Sequence, residues 1–198
     1  MIIGCGGHAN SIVDSIEQCG MFEVAGYVVN ENDKKCNLRY PILGRDDDLR
    51  RIFSSGIQYA VMGIGYLGKG NLRQFLYEEM KKIGYIFPTI IDSSAIVSRD
   101  AQIEEGTFIG KGVIINAGVQ IERMCIINSG AIIEHDCLVE EFSHVSVGTV
   151  LCGNVICGKS VFIGANATII QGRKIGNQCI IGAGEVIKKD ILGKVYCE

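Results

Sequence analysis

Three histidines, His8, His135 and His144, are the only imidazoles in the chain of 198 residues. An imidazole changes charge near neutral pH, so each is a candidate for proton transfer. His135 stands in Ile133-Glu134-His135-Asp136, between two carboxylates. An adjacent carboxylate orients an imidazole and raises its basicity. His8 lies in Gly4-Cys5-Gly6-Gly7-His8-Ala9, which fits the pattern G-x-G-x-x-G/A. Such glycines let a phosphate approach backbone N–H groups at a helix N-terminus. Asn30 and Glu31 end the next predicted strand, where such folds place a group for ribose or base. The plain alternatives are an empty strand–helix turn and solvated surface histidines.

Two kinds of element must position these groups. Every sixth residue from Ile91 to Ile187, seventeen in all, is aliphatic except Cys157. Neither a helix, with period 3.6, nor a strand, with period 2, sustains a period of six. A parallel β-helix does, with three short strands and three turns in a coil of about 18 residues. The residue two before each aliphatic is mostly small or β-branched, as at Ala95, Thr107, Val119, Ala131 and Ser143, which suits a second inward position at a corner. No hexad is broken, so no long external loop is expected.

His135 and His144 then lie half a coil apart, on different faces. They are poorly placed to meet within one chain, but meet across subunits if three solenoids pack about a three-fold axis. A zinc site of three histidines is disfavoured, because only two lie in the solenoid and no His-x4-His pair occurs.

The first half alternates strand and helix. Ile2-Ile3 precedes the glycine loop, and Asn10 to Cys19 shows helical spacing. Strands are predicted at Glu23 to Asn30, Gln58 to Gly63 and Tyr85 to Phe87. Helices are predicted at Asp46 to Phe53 and at Asn71 to Ile83, the latter with Leu72, Phe75, Leu76, Met80 and Ile83 as its apolar face. This order indicates a small parallel α/β domain. The boundary falls near residues 88 to 92, giving domains of 1–88 and 89–198.

Composition narrows the partners. Nineteen Lys and Arg against 22 Asp and Glu leave no basic excess for nucleic acid. No apolar run approaches the ~18 residues of a membrane span. No basic-then-apolar leader opens the chain, which points to the cytoplasm. The nine cysteines show no C-x-x-C pair and read as reduced, buried thiols.

The glycine loop, the hexapeptide run, Asn128-Ser129-Gly130-Ala131-Ile132-Ile133-Glu134-His135-Asp136-Cys137 and Phe142-Ser143-His144-Val145-Ser146-Val147-Gly148 together resemble the NeuD/PglD-type sugar O-/N-acyltransferases. The resemblance spans nearly the whole chain. It implies a Rossmann-like domain that binds a nucleotide-sugar, then a left-handed β-helix, assembled as a homotrimer with active sites between neighbouring β-helices. It implies acetyl-CoA as co-substrate and no metal. By resemblance, His135 is the general base and Asp136 its support. His144 lies near the acetyl thioester, the Gly153 N–H contacts the acetyl carbonyl, and Ala165, Gly182 and Ala183 line the pantetheine arm of CoA. Gly7 and His8 contact the nucleotide-sugar, Asn30 and Glu31 take the place of an acidic pair that reads uracil, and Gly63 and Gly65 form a second loop under the nucleotide.

The sequence departs from the family pattern in places. Asp92 stands where a His is common, Gly63 to Gly70 is a longer loop, and the G-x-P-A-K ending that helps cover CoA is not found.

The expected activity is transfer of an acetyl group from acetyl-CoA to the amino group of a UDP-linked amino-deoxy sugar. O-acetylation of sialic acid or a related sugar is the alternative enzyme. A non-catalytic nucleotide-sugar-binding module and an NAD-binding regulator are the alternatives of other classes.

Overall fold

The computed structural model describes residues 1–30, 39–193 and 196–197. Glu31, assigned above to the nucleotide site, lies outside the described residues.

The N-terminal part is a parallel sheet of four strands in the order β3-β2-β1-β4, formed by β1 (Ile2–Ile3), β2 (Tyr27–Val28), β3 (Ile42–Gly44) and β4 (Val61–Met62). Helix α1 (Gly7–Cys19) follows β1 directly, a short 3₁₀ turn and α2 (Leu49–Ser54) follow β3, and α3 (Leu72–Ile83) follows β4. α1 buries Ala9, Ile12, Val13 and Ile16 and ends at Gly20 in a left-handed conformation.

The α/β part departs from the sequence expectation in several places. Strand β3 is not among the predicted strands, and the strand expected over Gln58 to Gly63 forms only at Val61–Met62. The strand expected over Glu23 to Asn30 pairs only at Tyr27–Val28, and the one over Tyr85 to Phe87 is reduced to a bridge between Ile86 and Tyr59. The buried stripe of α3 is Arg73, Leu76, Tyr77 and Met80, whereas Leu72 and Phe75 are exposed.

From Ile90 the chain becomes a parallel β-helix. Seventeen strands of two residues, β5 (Ile90–Ile91) to β21 (Val186–Ile187), recur every six residues and stack into three sheets. The first face carries β5, β8, β11, β14, β17 and β20, the second β6 to β21 by threes, and the third β7 to β19 by threes. A further strand, β22 (Tyr196–Cys197), pairs with β20 on the first face. Each coil sits on the next in a register of 18 residues, as in Ile126↔His144↔Phe162.

The inward residue of each strand and the small residue before it fill the tube. Val113, Ile115, Val119, Ile121, Cys125, Ile127 and Ala131 are all buried in one continuous core. With one large aliphatic per strand, the burial supplies the main driving force for stacking. The α/β part packs on the first face of the tube, so that Ile90, Phe108, Ile126 and Phe162 join the cluster formed by α1 and β1.

Asp92 fastens this junction. It accepts hydrogen bonds from Ser15 Oγ at 2.5 Å and Ser94 Oγ at 2.6 Å, and Lys111 Nζ lies 3.5 Å away. Burial alone would raise its carboxyl pKa, but these hydrogen bonds and the lysine bring it down to about 2. Six described cysteines are free thiols. Cys5 is disulfide-bonded, which corrects the reading of every cysteine as reduced.

Candidate active site

The glycine loop and the loop after β4 converge over the first face of the tube. They enclose a cleft of about 680 Å³ whose wall includes Gly7, His8, Gly63, Gly65, Tyr66, Asn128, Ser129, His144 and Val147. Glycine is required at 63 because a Cβ there would lie 2.8 Å from Ala9 Cβ, Ile2 Cγ2 and Ile3 O. The N-terminus of α1 faces this cleft with Gly6 as its cap and no side chain bonded to its free N–H groups. Those N–H groups and the helix dipole favour an anion. Asn30 does not line this cleft. It lines an adjoining cavity of about 250 Å³ with Asp46, Gly4 and Ile64.

Both histidines of the cleft are held neutral. His8 packs edge-on against Phe108 at 5.4 Å, and its Nε2 is buried without a hydrogen-bond partner among the described residues. Burial, then the charge of Arg73 and the proximity of His144, push its pKa down to about 3. It is therefore not the solvated loop residue that one sequence reading allowed.

His144 is buried on β14 (His144–Val145), edge-on to Phe162. Its Nδ1 lies 2.6 Å from the Tyr66 carbonyl oxygen, which can only accept, so Nδ1 carries the proton. Nε2 is then the acceptor for Asn128 Nδ2 at 3.3 Å. The Asn128 amide is itself oriented, because its Oδ1 accepts the Ser129 N–H at 2.8 Å. Burial lowers the His144 pKa to about 4, with the Tyr66 carbonyl opposing and Arg73 reinforcing.

His135 stands elsewhere. It occupies the turn after β12 (Ile132–Ile133), at the corner between the second and third faces, and its side chain is 62% exposed. Asp136 has a positive φ of 59°, and its Oδ2 lies 2.8 Å from His135 Nδ1. That contact raises the imidazole pKa above its ordinary value. In the neutral ring Nδ1–H donates to Asp136, leaving the Nε2 lone pair free to take a proton.

Gly153 lies one coil further along the same corner. A Cβ on it would sit 2.6 Å from His135 Nε2, so only glycine leaves room for this ring position. Its N–H donates to no group of the fold among the described residues. A base and a free N–H donor thus share one corner, as acyl transfer requires.

Ala165, Gly182 and Ala183 lie on a third location, the corner between the first and second faces. By the 18-residue register they continue the columns Asn128–Ser146–Gly164 and Ser129–Val147 away from the cleft. Gly164 is close-packed here, since a Cβ would meet Ala183 N at 2.6 Å. The result is a narrow ledge of small residues running down from the cleft.

Within one chain the structure therefore brings together Gly7, His8, Gly63, Gly65 and His144. It sets His135, Asp136 and Gly153 one face away. Sequence reasoning missed Tyr66 and Asn128 as the two partners that fix His144. The coil register held the signal for Asn128, since Ile126 stacks on His144 and Asn128 follows two residues on. Among the described residues no group of three His, Cys, Asp or Glu could hold a metal ion.

Known proteins share this fold. Residues 1–80 match the family model of the PglD N-terminal domain, and residues 101–135 and 154–189 match the hexapeptide repeat of succinyl-transferase. The chain is similar to a histidine-to-alanine mutant of GDP-perosamine N-acetyl transferase from Caulobacter crescentus, solved in complex with CoA and GDP-perosamine. The TM-score is 0.91 and the identity 33%, over 98% of this chain and 90% of that one. It is also similar to the acetyltransferase domain of PglB from Neisseria gonorrhoeae in complex with acetyl coenzyme A, with TM-score 0.87 and 27% identity over 98% and 92% of the two chains. A putative acetyltransferase, YvoF of Bacillus subtilis, is 46% identical over 39 residues, which is 20% of this chain and 23% of that protein. The α/β part followed by a left-handed β-helix is the architecture these acetyltransferase structures share.

Proposed function

Because the chain belongs to the PglD/NeuD-type family of hexapeptide sugar acetyltransferases, we propose that it transfers the acetyl group of acetyl-CoA to the amino group of a nucleotide-linked amino-deoxy sugar. The observation that carries the reading is the His135–Asp136 pair set against the bare N–H of Gly153. His135 Nε2 takes the proton from the sugar amine as its nitrogen attacks the thioester carbonyl. The oxygen that gains the negative charge accepts the Gly153 N–H. The carbon–sulfur bond then breaks, and the CoA thiolate takes up a proton as it leaves. No covalent enzyme intermediate is needed.

In this reading residues 1–88 hold the nucleotide-sugar and residues 89–198 carry the transfer. Gly7, His8, Gly63 and Gly65 bind the diphosphate and sugar, and the cavity beside Asn30 takes the base. His144, Ala165, Gly182 and Ala183 hold the acetyl-pantetheine arm. His135 reaches them from a neighbouring copy. The second face between the two corners favours such an assembly, because it presents Ile96, Ile114, Ile132, Val150, Thr168 and Val186 as one outward ladder. Ile96 and Val186 are 65% and 51% exposed in the single chain. Burying such a ladder is the ordinary driving force for association. A homotrimer closes three such faces on one another and completes three sites. Among the described residues no helix is long and apolar enough to cross a membrane, and a CoA donor suits the cytoplasm.

Mixing the protein with acetyl-CoA and a panel of UDP- and GDP-linked 4-amino sugars and sialic acid tests the proposal. Free-thiol release that requires one amino sugar and disappears in His135→Ala is expected, and the active nucleotide identifies the base. Release only with sialic acid would replace the reading by O-acetylation. No release, with no binding of acetyl-CoA, would leave a binding module.

A further inference from the structure

The cleft is not the only cavity between the α/β part and the tube. A second, of about 360 Å³, opens on the other side of Tyr66, where the chain enters α3. Its wall includes Lys69, Asn71, Arg73, Gln74, Ser160 and Gln178. It carries two cations, and among the described residues no carboxylate lines it. The N-terminus of α3, a helix of 12 residues, borders it with Asn71 as cap, no capping side-chain bond and no acid in the first turn. Orphan N–H groups and a positive dipole end therefore face the cavity uncompensated.

Arg73 supplies the independent sign of a ligand. It is 5% exposed, and its Nη2 donates to the Met124 carbonyl at 2.8 Å. Its Nε and Nη1 are buried with no partner among the described residues. A guanidinium has five donors in a fork suited to phosphate or carboxylate, and leaving buried donors unmade is costly. Burial lowers its pKa only to about 10, so it stays charged at neutral pH.

We propose that this cavity is a second anion site, separate from the glycine-loop cleft, which takes the phosphoryl group of a small metabolite or free phosphate on Arg73, Lys69 and the first-turn N–H groups of α3. Its volume suits a phosphate or a phosphate ester. Tyr66 forms the partition between the two cavities. Its hydroxyl donates to the Ser160 carbonyl at 2.8 Å beside the anion cavity, while its own carbonyl accepts from His144 Nδ1. Tyr66 is thus hydrogen-bonded to Ser160 on one side and to His144 on the other. The inference does not rest on the acetyltransferase reading.

Calorimetric titration of the full chain with inorganic phosphate, pyrophosphate and glucose 1-phosphate tests it. One anion per chain is expected. Tighter binding of the ester identifies a phosphorylated metabolite as ligand, and parity identifies the free anion. Lys69→Glu, at an exposed rim position, should weaken binding at least about tenfold, the loss of one charge-assisted hydrogen bond. Arg73→Lys should weaken it comparably while keeping a charge in the wall. No heat with any of the three anions would overturn the proposal. So would unchanged affinity in folded Lys69→Glu, or full displacement of phosphate by GDP or UDP, which would assign the anion to the cleft.

Discussion

Replacing Gly153 with Ala puts a methyl carbon 2.6 Å from His135 Nε2 and 2.7 Å from Cε1. Carbon and nitrogen in ordinary contact stay about 3.5 Å apart, so the ring must withdraw by about 1 Å. The backbone does not resist the change, since Gly153 is not among the positive-φ glycines. The ring is free to move, because the His135 side chain is 62% exposed. Stability should therefore change by no more than about 0.5 kcal/mol, as at other surface positions. The Gly153 N–H is also retained. What is lost is the placement of Nε2, and a misplacement of about 1 Å costs on the order of 10²-fold in rate. Thiol-release kinetics should show kcat reduced by about that factor, with the melting temperature nearly unchanged. The double variant with His135→Ala should be no slower than His135→Ala alone, because both changes act through one imidazole. A Gly153→Ala enzyme with the parent kcat would show that Gly153 does not set the position of His135 Nε2. So would a double variant in which the two losses multiply.

Asp136→Asn removes the charge that raises the His135 pKa, so the acid limb of kcat/KM should move to lower pH while the plateau drops by about tenfold or more. A limb that stays fixed or moves upward contradicts the pairing. His8 and His144 have folded pKa values of about 3 and about 4, below the ordinary 6.5. The unfolded chain therefore binds protons first as pH falls, and their contribution to stability is present above about pH 6.5 and lost from there down to about pH 4. Melting curves should show this fall, and His144→Gln should flatten it; an equal slope in the variant would count against a buried neutral His144. Mixtures of His135→Ala chains with chains disabled in the cleft by Gly7→Trp should regain part of the activity that each lacks alone. Mixtures as inactive as their parents would argue that the site is not shared between copies.

The hexad period is the most legible feature, because every sixth residue must fill the same narrow tube. Ile109, Ile115, Ile121 and Ile127 are each buried in its core. The small α/β part is harder to read. Strand β3 follows Pro41 and leaves Ile42 53% exposed, so neither alternation nor burial announces it. On α3, helical spacing favours Phe75, but the packed stripe runs through Arg73, Leu76 and Met80. An arginine in that stripe makes sense only once the tube lies against it and supplies the Met124 carbonyl. The His135–Asp136 pair can be read from neighbouring letters, since it is a local contact across one turn. The Tyr66–His144 bond spans 78 residues and depends on how the two parts dock, which no local pattern encodes.

Transfer of acetyl to a sugar nitrogen by His135 is tested by nuclear magnetic resonance of the product formed from acetyl-CoA and the active nucleotide-linked 4-amino sugar, beside a His135→Ala control. One new acetyl group coupled to an amide N–H on the sugar ring is expected, and none with the variant. An ester-linked acetyl group, or equal product from His135→Ala, would contradict it.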